Sequence, residues 1–183
     1  MRTLSLLFVA LVVAAACGDP LGLPPPAIAN RTDTVSLFAL SGTPVTAPSA
    51  YVIAFRQIIR TDQSTQGFDF VFDIDSLGRA VLLPTGALRL GRASGIQLDT
   101  LEFDSVKVAP NRNYQLDSAV VVDSNTVAIL HSRPLVCSFG ISSLYYAKLH
   151  VLAIDTLARR LDFEILTDIN CGYRGLEEGL PKR

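Results

Sequence analysis

Tryptophan is absent from this sequence, and histidine occurs only twice in 183 residues. Tryptophan is the side chain that carbohydrate-stacking platforms use most, so the sequence does not favour such a platform. The two histidines, His131 and His150, leave few candidates for a general base, and no Gly-x-Ser-x-Gly nucleophile motif accompanies them. Both are interpreted as ordinary strand residues. The sequence therefore predicts no catalytic residue and indicates a protein that is not an enzyme.

Neither sign of charge dominates: 16 Lys and Arg face 17 Asp and Glu, a formal net charge of −1. The basic patch that is typical of nucleic-acid binding is missing, so nucleic acid is not an expected partner. The clearest carboxylate cluster is Asp69, Asp73 and Asp75, which alternate along one predicted strand. A calcium loop would need further ligands that the sequence lacks there. We interpret these acids as the solvent-facing side of a strand, and we predict no metal and no cofactor.

Long apolar runs are also absent, with one exception at the start of the chain. Residues 4–16 are apolar or small except for Ser5, and they follow Met1, Arg2 and Thr3. This stretch is too short for a transmembrane helix, which needs about 20 apolar residues. A basic start, a short apolar region and small residues at its end are typical of a secretory signal peptide. The sequence predicts that residues 1–16 are this signal.

The residues that follow indicate which type of signal peptide this is. Ala14-Ala15-Ala16-Cys17 resembles the lipobox of bacterial lipoproteins, although Ala14 stands where leucine is usual. The resemblance covers only the first 20 residues and implies that Cys17 becomes the acylated first residue of the mature protein. It also implies a membrane partner through the lipid and a cell-envelope location, with Gly18 favouring the outer membrane. The alternative is an ordinary signal peptide whose cleavage site falls near a cysteine.

A tether and one domain follow the signal. Residues 17–32 are rich in proline, with Pro24, Pro25 and Pro26 in succession, and they show no hydrophobic period. They predict an extended spacer. Residues 33–183 provide enough chain for a single domain with its own core. Loss of Arg2 with the signal moves the formal charge from −1 to −2.

Alternation of apolar and polar residues predicts that this domain is all-β. The pattern is clearest over residues 68–75 and 161–165, and further strands are predicted over 34–40, 51–60, 79–83, 101–104, 106–108, 119–122, 126–131 and 144–154. Residues 144–168 read as one long hairpin at the centre of a sheet. Many short strands joined by polar turns predict an antiparallel β-sandwich of immunoglobulin-like type, and a small closed β-barrel is the alternative.

Two cysteines remain after Cys17. Cys137 and Cys171 lie near the ends of predicted strands, in a protein that the signal directs to an oxidising compartment. Their spacing fits neither a Cys-x-x-Cys redox motif nor a zinc site. The sequence predicts a structural disulfide between them.

These features together predict a membrane-anchored lipoprotein that acts as a non-enzymatic interaction or structural module. Its partner would be the membrane, with another envelope protein as a further candidate. The alternatives are a carrier of a hydrophobic ligand at the membrane and, less favoured, an envelope hydrolase. A deep apolar cavity inside the β framework would indicate the carrier, whereas a filled core would indicate the binding module.

Overall fold

The computed structural model describes residues 24–63, 67–137, 140 and 142–182. Their strands form two five-stranded antiparallel sheets and one two-stranded sheet. In spatial order, the first sheet contains β1 (Arg31–Phe38), β12 (Arg160–Asp168), β11 (Tyr146–Asp155), β8 (Val127–His131) and β6 (Gly95–Asp99). The second sheet contains β3 (Gln57–Ile59), β2 (Ala50–Val52), β4 (Phe70–Ile74), β5 (Ala80–Pro84) and β7 (Val120–Val121). The small sheet pairs β9 (Leu135–Val136) with β10 (Ser142–Ser143).

One apolar core fills the space between the two large sheets. Its largest side chains are fully buried: Leu149 and Phe163 from the first sheet, and Tyr51, Phe70 and Phe72 from the second. The ring centroid of Phe163 lies 6.2 Å from those of both Tyr51 and Phe70, so aromatic contacts join one sheet to the other. This arrangement confirms the predicted antiparallel β-sandwich. The alternative, a closed barrel, is not formed by the part of the chain that is described.

The long hairpin predicted at the centre of a sheet is confirmed. Strands β11 and β12 pair along their whole length, and they are flanked by β8 on one side and β1 on the other. Leu161, Phe163 and Ile165 point into the core at every second position. The turn between the strands is stabilised by Asp155, whose Oδ1 accepts a hydrogen bond from the Ala158 amide at 2.8 Å.

The single strand predicted over residues 51–60 is wrong. The chain leaves β2, makes a 3-10 turn at Ile53–Phe55 and reverses into β3 through Arg56, whose φ of 51° is left-handed. Contacts far away in sequence hold this reversal. The Arg56 guanidinium donates to the hydroxyl of Thr167 at 2.7 Å and to its carbonyl at 3.1 Å. An apolar run of β-forming residues thus becomes a tight hairpin because a distant strand binds its corner.

The acidic face predicted on residues 69–75 is also wrong in part. Strand β4 begins only at Phe70, and Asp69 is fully buried with an ion pair to Arg133. Asp73 is half-buried and accepts hydrogen bonds from the amide and hydroxyl of Ser41. Asp75 caps the β4–β5 turn through the amides of Leu77 and Arg79. The three carboxylates therefore serve three separate structural purposes and do not form one solvent-facing acidic surface.

The predicted disulfide between Cys137 and Cys171 is confirmed, with 6.0 Å between the two Cα atoms. It links the residue after β9 to the turn that follows β12. The predicted signal peptide and Cys17 lie outside the described residues.

Candidate functional site

A segment predicted as two strands covers part of the outer face of the first sheet. Residues 101–104 and 106–108 are not strands: a 3-10 turn occupies Phe103–Ser105, and the chain continues irregularly to Ala109. Phe103, Val106 and Ala109 are buried at a spacing of three residues. They pack with residues of the sheet beneath, namely Val127, Ile129, Tyr146 and Leu166. The segment therefore forms a roof over the sheet. The prediction of strands is wrong here because the buried residues recur at every third position and not at every second.

A buried lysine holds this roof in place. Lys148 of β11 is only 3% exposed, and its Nζ donates to the carbonyl oxygens of Phe103 at 2.7 Å and Val106 at 3.1 Å. The ammonium also lies 4.3 Å from the centroid of the Phe103 ring, a favourable cation–π distance. Burial lowers the pKa of Lys148, because the charged form loses hydration. Lys148 thus positions the roof and is itself withdrawn from solvent.

The edge of this roof borders an open cleft of about 710 Å³. We call it the acidic cleft, because four carboxylates line it. The acids are Asp99, Glu102, Asp104 and Glu164. Its other walls are formed by Leu98, Thr100, Leu101, Phe103, Asn125, Thr126, Val127 and His150. The cleft therefore combines negative charge with apolar surface, and its volume lies in the range of small-molecule sites.

A histidine–glutamate pair lies in the wall of the acidic cleft. His150 of β11 and Glu164 of β12 are direct partners in the strand register, and His150 Nδ1 is 2.7 Å from Glu164 Oε1. Both side chains are partly accessible, at 24% and 30% exposure. The pair can form hydrogen bonds with a ligand, and Glu164 is one of the four carboxylates that give the cleft its negative potential. His150 also stacks obliquely near Phe103, with 6.1 Å between ring centroids.

The second histidine has a different environment. His131 ends β8, is 8% exposed and accommodates Tyr114 edge-on at 4.6 Å between ring centroids. Its Nδ1 lies 2.9 Å from the carbonyl oxygen of Ser132. Burial lowers the pKa of His131, which favours the neutral ring. His131 is thus a structural core residue that does not reach the acidic cleft.

A strand edge that is only partly paired adjoins the cleft. Strand β6 is the last strand of the first sheet, and the peptide groups of Ile96 are paired on their outer side with Gln115 at 2.8 and 3.0 Å. Alternate residues of a strand direct their peptide groups to the same edge. The peptide groups of Leu98 therefore face outward, and no described residue bonds to them there. An extended ligand could form backbone hydrogen bonds at this point.

The sequence pointed to different residues. Cys17 lies outside the described residues, the disulfide residues Cys137 and Cys171 do not line the cleft, and the acids at 69, 73 and 75 are separated from it. The signal that sequence reasoning missed is the run from Leu98 to Asp104, which carries three acids and three large apolar residues. Glu164 and His150 join this run only through the sheet register.

The described residues also bear on membrane and metal sites. None of their helical segments is long and apolar enough to cross a bilayer. Among these same residues, no group of three or more His, Cys, Asp or Glu side chains is arranged to hold a metal ion. Searches against known proteins find no matching family model and no matching curated protein.

Proposed function

We propose that this protein is a lipid-anchored binding module of the bacterial cell envelope, and that its acidic cleft holds a cationic, extended segment of a partner protein. The observation that carries the proposal is the grouping of Asp99, Glu102, Asp104 and Glu164 around apolar walls. Lysine and arginine side chains match such a surface, because their aliphatic stems pack on apolar groups while their charged ends meet carboxylates. The proposed role involves no catalysis and no cofactor.

Support for a binding module over a hydrophobic-ligand carrier comes from the interior of the sandwich. Side chains such as Phe70, Phe72 and Phe163 occupy the space between the sheets and are at most 1% exposed. A carrier of a hydrophobic ligand would hold that ligand between the sheets. The acidic cleft lies instead on the outer face of the first sheet, where a partner can reach it.

Support for the lipid anchor comes from the sequence around Cys17. Two or more acyl chains on one cysteine hold a protein stably at a membrane, whereas a single chain does not. We propose the outer membrane as its location, because in the lipoproteins that the signal resembles Asp after the cysteine favours the inner membrane, and here that residue is Gly18. The folded domain would then remain outside the bilayer with the acidic cleft accessible.

We expect the cleft carboxylates to control the binding of a basic peptide. The probe is a fluorescein-labelled octapeptide of alternating Lys and Val, measured by fluorescence anisotropy against the full-length protein in non-ionic detergent. The triple variant Asp99→Asn, Glu102→Gln, Asp104→Asn should bind about ten-fold more weakly, which corresponds to about 0.5 kcal/mol for each charge removed. Raising the salt concentration should weaken wild-type binding and should reduce the difference between the two proteins.

A matched variant separates the effect of the cleft carboxylates on binding from the effect of the net charge. Asp117→Asn, Glu177→Gln, Glu178→Gln changes the net charge by the same amount at positions outside the cleft. This control should bind the basic peptide within two-fold of the wild type, and a Glu-Val peptide should bind neither protein. Equal weakening by both triple variants would contradict the proposal, because it would show a general charge effect.

The anchor requires its own test. Cys17→Ala should move the protein from the membrane fraction to the soluble fraction, since the acyl chains would be lost. The circular dichroism spectrum of the released domain should match that of the wild type. Retention of the variant on membranes, or an unmodified residue 17 in the mass spectrum of the wild type, would contradict the anchor.

A further inference from the structure

The N-terminal segment joins the domain earlier than the sequence predicts. The spacer was expected to extend to residue 32, but β1 begins at Arg31, and the chain is bound from Pro24 onward. The Tyr173 hydroxyl donates to the carbonyl oxygen of Pro24 at 2.9 Å. The Asn170 side chain binds Ala27 and Ile28: its Oδ1 accepts both amides at 2.9 and 3.0 Å, and its Nδ2 donates to the Ile28 carbonyl at 2.8 Å.

A second set of bonds fixes the end of this segment. Asn30 is 3% exposed, and its backbone exchanges two hydrogen bonds with Gly179 at 2.7 and 3.0 Å. Its Nδ2 donates to the carbonyl oxygens of Gly175 at 2.7 Å and Glu177 at 3.1 Å. Residues 24–30 thus form a strap against residues 170–182. We call this part of the molecule the anchor end.

The strap limits how far the domain can move from residue 17. Only seven Cα-to-Cα steps separate Cys17 from Pro24, so this stretch spans at most about 25 Å in any conformation. A free spacer over residues 17–32 would have reached roughly 55 Å by the same measure. A domain of this size is on the order of 40 Å across. Pro24, and with it the anchor end, is therefore held within about 25 Å of Cys17.

The surface chemistry of the anchor end suits the headgroup layer of a membrane. A groove of about 550 Å³ lies there, with Val108 and Leu180 each 58% exposed. Lys107, Arg174 and Lys182 line the same groove together with Glu177 and Glu178, and Lys107 forms an ion pair with Glu177 at 3.2 Å. Three cations against two carboxylates leave the groove with a small positive charge. Exposed aliphatic side chains beside such charges favour an interface, because the apolar groups enter the acyl boundary while the cationic groups remain at the phosphates.

The opposite end of the sandwich lies far from this surface. Leu157 is in the turn between β11 and β12 and is 98% exposed. The nine residues of β12 separate this turn from the anchor end by about 30 Å. Leu157 therefore offers a leucine on the far side of the molecule that is even more exposed than Leu180, and it serves as the reference position.

We propose that the anchor end rests on the headgroup layer of the anchoring bilayer through Val108 and Leu180, and that the far end, with Leu157, points away from it. This inference rests on the proposed anchor at Cys17. It makes the strap, rather than a flexible spacer, the element that orients the domain and leaves the acidic cleft on the outer face of the first sheet open to a partner.

Depth-dependent fluorescence tests the orientation. The full-length acylated protein is reconstituted in vesicles of phosphatidylethanolamine and phosphatidylglycerol, with an environment-sensitive dye on Leu180→Cys or, separately, on Leu157→Cys. The native cysteines do not compete for the dye, because two form the disulfide and the third is acylated. Spin-labelled lipid headgroups should quench the dye at position 180 at least three-fold more than the dye at position 157. Equal quenching, or stronger quenching at position 157, would overturn the orientation.

A lengthened tether provides the second variant. Sixteen Gly and Ser residues inserted between Leu23 and Pro24 leave every contact of the strap intact but remove the limit on reach. The difference in quenching should then fall by at least half. An unchanged difference would show that the surface alone, and not the short tether, sets the orientation, which would overturn the role of the strap. If the labelled protein did not float with the vesicles, the proposed anchor at Cys17 would itself be contradicted. Failure of the anchor and failure of the orientation are therefore distinguishable.

Discussion

Replacing both Cys137 and Cys171 with alanine is expected to lower the free energy of unfolding by about 4 kcal/mol in the chain-entropy model. The bridge closes a loop between cysteines 34 positions apart, and it restricts the unfolded chain more than the folded one. For a domain of this size, the loss corresponds to a melting temperature lower by roughly 8–16 °C. Thermal unfolding followed by circular dichroism measures the shift.

Reduction supplies the control for this prediction. Dithiothreitol should lower the melting temperature of the wild type to that of the variant, and it should leave the variant unchanged. The loss should also be felt locally, because Cys171 follows Asn170, which binds the strap through three hydrogen bonds. Amide hydrogens of Ala27 and Ile28 should therefore exchange faster in the variant. A wild type that is insensitive to reduction would contradict the stabilising role of the bridge.

The disulfide was predictable from sequence because, once Cys17 is interpreted as the acylated residue of an exported protein, Cys137 and Cys171 are the one remaining pair. The β11–β12 hairpin was predictable for a related reason: one of its faces is buried, so alternation in Leu161, Phe163 and Ile165 reflects a real difference in environment. Where both faces of a strand are covered, alternation no longer distinguishes a buried face from an exposed one. At the start of β11, Tyr146 packs under the roof while Ala147 lies in the main core.

The candidate site could not be predicted in the same way. The acids of residues 98–104 are visible in the sequence, but Glu164 reaches them only because β12 pairs with β11 and the roof crosses the same face. The roof depends on Lys148 and its two carbonyl partners, which are 42 and 45 positions away. The strap depends on Asn170, 142 and 143 positions from the amides it binds. Polar contacts at such separations leave no periodic signal in one sequence.

Asp69 is the clearest example, and its replacement by alanine is expected to cost about 3 kcal/mol of unfolding free energy. The side chain is fully buried. Its Oδ2 accepts the Ile53 amide at 2.7 Å, and its Oδ1 accepts the Arg133 amide at 2.8 Å and the Arg133 Nε at 3.3 Å. The variant leaves two buried amides without acceptors. The cost lies at the low end of the range for a broken buried pair, because the Arg133 side chain is 21% exposed and can regain some hydration.

Asp62→Asn is the matched control, since Asp62 pairs with Arg60 at 2.6 Å but is 34% exposed. This ion pair is shorter than that of Asp69 with Arg133, but it should contribute less than about 1 kcal/mol to the free energy of unfolding, because water screens it. Urea unfolding measures both variants. Equal losses would contradict the argument that burial, rather than ion-pair distance, determines the cost.

The pH dependence gives a second test of Asp69. Burial raises the pKa of this carboxyl above its ordinary value of 3.8, against the opposing hydrogen bonds from Ile53 and Arg133. The folded state then holds the proton more tightly than the unfolded state does. The stability that Asp69 contributes is therefore fully present below pH 3.8 and declines as the pH rises through its raised value. The difference in unfolding free energy between the wild type and Asp69→Ala should be larger at pH 3.5 than at pH 7. A difference that grows with pH would mean that ionisation, and with it the charge pairing to Arg133, outweighs the cost of burial.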